Sequence, residues 1–222
     1  MIQNILNSVP LSNKYYIYVI FIGVLGVEMY PGFLYNFTYL GLFISYILEI
    51  ILLGKLTYSI TSSTLPSNTS ILKEKWANYL IVTILVILPS FLIAHLASLL
   101  SFSPYSIPFI EIGISFLMAA LTIYVLPIAF LKNENIKAIL VGVYYLFTNF
   151  TFSKPILFML LAALFIKLIP VLIIMSFPFM GIYGIIPTMI ASNIVATYIF
   201  ILIFSAATIT LVQNNNEIQE QA

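Results

Sequence analysis

Cysteine, arginine and aspartate are all absent from this 222-residue chain. Without cysteine there can be no disulfide, no thiolate nucleophile and no thiolate-bound metal. The single histidine, His95, cannot build a multi-histidine metal site. All eight basic residues are lysines and all seven acidic residues are glutamates, and charged residues make up only 7% of the chain. A water-soluble domain carries roughly a quarter of its residues as charges, so this chain could not clothe a water-facing surface of its own size. The formal net charge of +1 leaves no basic footprint for nucleic acid. No phosphate-binding loop, G-x-S-x-G elbow, H-E-x-x-H helix or aspartate-rich motif occurs in the sequence. An enzyme is therefore not expected, and neither a metal nor any other cofactor is implied.

Apolar side chains dominate instead, at 62% of the chain. A helix that spans the hydrocarbon core needs about 20 apolar residues. Six segments qualify: 15–33, 35–53, 79–100, 107–131, 155–175 and 185–211. Lipid offers no partner to a backbone N–H or C=O, so runs this long read as helices. Barrel strands would be about ten residues long and would alternate in polarity, and these runs do not. The expected fold is an all-α polytopic membrane bundle of six transmembrane helices with interfacial amphipathic helices. Residues 1–212 form one transmembrane domain, and residues 213–222 form a polar cytoplasmic tail expected to be disordered.

Charge placement sets the orientation. Connections 30–35, 101–106 and 176–184 carry no charge, whereas 55–75 and 132–154 carry lysines and Lys14 precedes the first span. Cytoplasmic loops are enriched in lysine and arginine, which puts both termini and both long loops inside. Pro31, Gly32 and Phe33 follow the first apolar run in place of a small-x-small site, so a cleaved leader is not expected. Within the second long loop, Ile136, Ile139, Leu140, Val143, Phe147 and Phe150 recur at helical spacing, with Asn133 as N-cap and Glu134 in the first turn. Residues 134–150 are expected to form an amphipathic helix lying in the interface. Ile2, Ile5, Leu6 and Val9 predict a shorter one, ended by Pro10.

An ionisable side chain at the centre of a span costs roughly 2.5–3.5 kcal/mol on insertion scales, so each such group needs a reading. There are five: Glu28, Glu49, His95, Glu111 and Lys167. With the orientation above, Glu28, His95, Glu111 and Lys167 fall in the outer half of the bundle. They form the candidate substrate- or ion-binding cluster, with Lys167 paired to Glu28 or Glu111 and His95 as proton acceptor or orienting donor. The plainer alternative is a structural ion pair plus groups that reach water. Glu49 is expected at the inner interface, exposed. Asn193, between Thr188 and Thr197, is expected to hydrogen-bond between helices. Small residues four apart (Gly41 and Ser45, Ser115 and Ala119, Ser192 and Ala196) allow close helix approach. Pro89, Pro127, Pro170 and Pro187 predict kinks.

The stretch from Ser106-Ile-Pro-Phe through Val125-Leu-Pro-Ile-Ala-Phe-Leu-Lys-Asn-Glu-Asn135, the amphipathic 136–150, the span opening at Pro155 and the Gly/Pro-bearing 181–188 form a recognisable order. It resembles the YciC-type bacterial inner-membrane proteins, six-span proteins akin to the membrane domain beside some glycerophosphodiester phosphodiesterases. The similarity covers residues 106–211, and the arginines typical of that family's loop helix are missing here. The resemblance implies a multi-span inner-membrane protein without enzymatic activity, engaged in envelope upkeep or acting as a membrane scaffold with a partner membrane protein. It carries over no catalytic residue. The rival expectation is a small transporter or channel built on the outer-half cluster.

Overall fold

The structure, a computed structural model, describes residues 13–25, 35–61, 64–99, 107–133, 136–176 and 181–220. Among the described residues all regular structure is helical: α1 (Asn13–Leu25), α2 (Tyr35–Thr61), α3 (Asn68–Leu99), α4 (Ile107–Leu121), α5 (Val125–Lys132), α6 (Ile136–Thr148), α7 (Phe150–Ser176) and α8 (Gly181–Glu220). Three of these helices contain stretches long and apolar enough to cross a membrane, Leu40–Thr61 in α2, Phe150–Pro170 in α7 and Ile186–Gln213 in α8. A helix satisfies its own backbone, which is what an apolar surrounding demands. Several hydroxyls do the same. Thr57, Thr61 and Thr208 each donate to the carbonyl four residues back, at 2.9, 2.9 and 2.8 Å.

The bundle is organised around α8. Residues 201–208 of this helix are buried without interruption, a pattern that only a helix surrounded on all sides can show. It packs against α1, α2, α5 and α7. By contrast α7 turns a bulky apolar side outward, with Phe158 70% and Phe165 60% exposed. Phe130 of α5 packs into the part of the core built by α1, α2, α3 and α8. Its ring meets Tyr79 edge-on at 6.3 Å and Phe204 at 5.7 Å.

Close approaches occur where the sequence places small residues. Gly23 of α1 lies so near α8 that a Cβ there would stand 2.6 Å from Ile194 Cα, and Asn193 donates a 2.7 Å hydrogen bond to the Gly23 carbonyl. The interhelical role expected of Asn193 is thus the one it plays. Ser45 of α2, itself buried, faces the Ile22 carbonyl of α1 at 3.5 Å.

Four features differ from expectation. First, the apolar run 107–131 is not one helix. It breaks at 122–124, between α4 and α5. Pro127 has no N–H for the Ile123 carbonyl and its ring crowds that group, so the chain turns before it, with Val125 N–H donating to the Thr122 carbonyl at 2.9 Å. Ile123, Tyr124 and Val125 are all buried, so the irregular backbone is shielded by protein. Second, Asn133 is no N-cap. It ends α5 in the left-handed region, φ 53° and ψ 30°, a conformation asparagine tolerates better than most residues. Third, α6 ends at Thr148 and Phe150 already opens α7; α6 packs inward through Ala138, Gly142 and Leu146, while the larger Ile136, Leu140 and Phe147 point outward. A Cβ on Gly142 would lie 3.0 Å from Val125 N, so small residues set this contact. Fourth, α8 runs on to Glu220 where disorder was expected; adding residues to an existing helix is far easier than starting one. The expected helix at 2–9 lies outside the described residues.

Candidate functional site

Glu49 lies at the middle of the apolar stretch of α2, and it lines two adjoining cavities. α2 does not end near Leu53 but continues to Thr61, and this carries Glu49 from the expected inner boundary to mid-helix. The first cavity, about 380 Å³, is bounded by α1, α2, α4, α7 and α8. Its walls are mostly apolar, among them Phe116, Leu160, Ala163 and Phe200, and its polar groups are Glu49, Lys167 and Thr197. Glu49 and Lys167 interact through space without ion-pair contact. The second cavity, about 240 Å³, places Glu49 beside Tyr46, Tyr79 and Thr83, with Thr122 from the break between α4 and α5.

Tyr79 anchors the carboxyl. Its hydroxyl stands near enough to Glu49, and to Thr83 one turn further along α3, to interact with both. Tyr46 stands edge-on to Tyr79 at 6.3 Å. A carboxyl, a phenol and a hydroxyl thus form a chain from α2 into α3, and the turn at Thr122 adds a second hydroxyl, which donates to the Met118 carbonyl at 2.7 Å. Chemically, such an arrangement can accept and release a proton at Glu49 and can pair with a small solute bearing both apolar surface and polar groups.

Of the four residues in the expected cluster, Glu28 lies outside the described residues, and so do the side chains of His95 and Glu111, although their backbones belong to α3 and α4. Lys167 is described. It is exposed, lines the larger cavity, and has Glu49 as its electrostatic partner among the described residues. From the sequence, Glu49 is an ionisable group inside a span but expected at the inner interface. The signal that could have moved it was Tyr46, one turn earlier on the same face of α2. Among the described residues no group of three His, Asp or Glu side chains is placed to hold a metal ion.

A second polar cluster sits where α2, α3 and α5 meet. Lys75 is only 3% exposed. Its ammonium donates to the Phe130 carbonyl at 2.7 Å and to Asn133 Oδ1, and pairs with Glu74 at 2.8 Å. Glu74 accepts from Tyr58 OH at 2.6 Å and from Asn133 Nδ2 at 3.0 Å. The Lys75 bond, then those from Tyr58 and Asn133, hold the Glu74 carboxyl at about 2, well below the ordinary carboxylate value. Every polar atom in this cluster has a partner, so it reads as a clasp that joins helices, with no side chain left over to engage a ligand.

The chain matches no family model, and no curated protein and no solved structure matches it.

Proposed function

We propose that this chain is a six-span protein of the bacterial inner membrane, with both termini cytoplasmic, that moves protons together with a small solute through a site centred on Glu49. The observation that carries this reading is the placement of Glu49 at mid-helix, beside Tyr79 and facing a cavity shared with Lys167. Carboxyls inside membrane helices are costly and are characteristic of proton relays and ion pathways. The break at 122–124 supports the same reading: discontinuous helices whose loosened backbone lines a cavity are a recurrent device for building transport sites. The lysine distribution supports the orientation, and the resemblance of residues 106–211 to YciC-type proteins supports the bacterial inner membrane. α6, with its bulky apolar side outward, fits a helix lying in the interface.

The test is proton entry into liposomes that contain the purified protein and an internal pH dye, driven by a potassium diffusion potential. Wild-type protein should acidify the lumen faster than empty liposomes, and Glu49→Gln should abolish the difference. Equal rates for wild type and Glu49→Gln would sink the reading.

A non-enzymatic scaffold in envelope upkeep, working with a partner membrane protein, is the second reading. It is favoured by the outward side of α6, where Leu140 and Tyr144 are each 71% exposed. Under it, Glu49→Gln is silent in cells, whereas Leu140→Glu is not.

A further inference from the structure

A third and larger hollow lies on the outside of the bundle between α2 and α3, about 710 Å³ in volume. Phe43 and Ile47 of α2 and Trp76, Leu80, Ile84 and Leu88 of α3 form its sides, and Lys73 closes one end. Phe43, Trp76, Leu80, Ile84 and Leu88 are all exposed. Nothing in the described chain covers this face. Its long axis follows α3: Trp76 to Leu88 spans about 18 Å at 1.5 Å per residue, close to the half-thickness of a hydrocarbon core of about 30 Å.

The two ends differ chemically. The Leu88 end is purely apolar. The other carries the Trp76 indole, a side chain that settles at the head-group level of a bilayer, and one turn earlier the Lys73 ammonium. Lys73 is exposed and has no ion pair among the described residues. Its neighbour Glu74 cannot neutralise it at close range, because Lys75, Asn133 and Tyr58 already occupy that carboxylate. An apolar trough of acyl-chain length that ends in an aromatic ring and an unpaired cation complements a molecule with an acyl chain and an anionic head group. In the orientation proposed above, the Lys73 end is the cytoplasmic one, where anionic lipids are plentiful and each lysine near the surface attracts them.

We infer that this groove binds an anionic phospholipid, with an acyl chain along Leu80, Ile84 and Leu88 and the phosphate on Lys73. The site is separate from the Glu49 cavities, although Tyr46, Tyr79 and Thr83 contribute to the walls of both the groove and the smaller of them. It requires the membrane orientation but not proton transport, so either can fail without the other.

Trp76 is the only tryptophan in the chain, which makes the test direct. The full-length protein is reconstituted into vesicles of phosphatidylcholine containing increasing fractions of brominated phosphatidylglycerol or, separately, brominated phosphatidylcholine, and Trp76 fluorescence quenching is recorded. The anionic lipid should occupy the site with about fivefold preference. Lys73→Gln should remove the preference, while Lys73→Arg and Lys132→Gln, the latter a lysine outside the groove, should retain it. Equal quenching by the two lipids in the wild type, or a preference that survives Lys73→Gln, overturns the inference and leaves the groove as ordinary lipid-facing surface.

Discussion

The Lys75 ammonium donates a 2.7 Å hydrogen bond to the carbonyl of Phe130, 55 positions further along the chain. That carbonyl belongs to the last turn of α5, where a helix leaves its own acceptors unpaired. A cation placed there also complements the negative end of the helix dipole. One buried lysine therefore ends α5, fixes Asn133 in its left-handed cap and holds the start of α3 against both.

Lys75→Met should accordingly destabilise the fold by about 2–3 kcal/mol, the scale of hydrogen bonds to a charged group. Thermal unfolding of the purified variant in detergent checks this. An unchanged melting point would mean that the clasp contributes nothing to stability.

Glu74 gives the clasp a pH signature. Its carboxyl titrates at about 2 in the folded protein against an ordinary value of 4.5. A group with a depressed folded value contributes stability that is complete above its unfolded value and fades as pH falls towards its folded value. Glu74→Gln should therefore melt below wild type at pH 6 to 7, and the two curves should converge as the pH drops from about 4.5 towards 2. Melting curves collected across that range decide the matter. A gap that stays constant down to low pH would show that Glu74 acts through shape alone.

Two glycines should behave in opposite ways. Gly23→Ala places a Cβ 2.6 Å from the backbone of Ile194, and overpacking of this kind typically costs about 1–3 kcal/mol. Gly113, in α4, has nothing within 4 Å of the equivalent position, so Gly113→Ala should be neutral or stabilising by up to about 1 kcal/mol through helix propensity. Comparing both melting temperatures with wild type tests the α1–α8 contact specifically.

Pro127→Ala restores an N–H that can reach the Ile123 carbonyl. Pro127 stands in the first turn of α5, where its missing N–H costs little, so the variant should raise the melting temperature only by rejoining α4 and α5 into one helix, and by less than the roughly 3 kcal/mol of a helix-interior proline. If the turn at 122–124 serves the Glu49 site, the same variant should slow proton entry into liposomes. A more stable protein with undiminished flux would separate the turn from the function.

Much of the architecture was legible because apolar runs leave the backbone no choice but a helix. The helix boundaries were not legible, since a loop was inferred from charge and the helices ignore it. α2 passes through Lys55 to Thr61, and α3 begins at Asn68, before Lys73 and Lys75. Lys55 lies over the Tyr18 ring at 5.4 Å, and Lys75 is buried. Lysines that appeared alike in a loop thus have different surroundings, which depend on what packs beside them. The same shift of the α2 boundary hid Glu49. The break before Pro127 was visible only as a proline; whether a helix kinks or parts there depends on the buried neighbours of Tyr124, including Ser153, whose hydroxyl lies 2.9 Å from its own.

Among the described helices, the one at the centre of the bundle is also the last to be synthesised. Until the segment around Ile201–Thr208 leaves the ribosome, α1, α2, α5 and α7 lack the one partner they all share, and the cavity between Glu49 and Lys167 lacks the wall that Thr197 and Phe200 provide. Assembly of the bundle must therefore wait until α8 has been made. A chain that stalls before α8 would present open, partly polar helix faces within the lipid, a form that membrane quality control can distinguish from the finished protein.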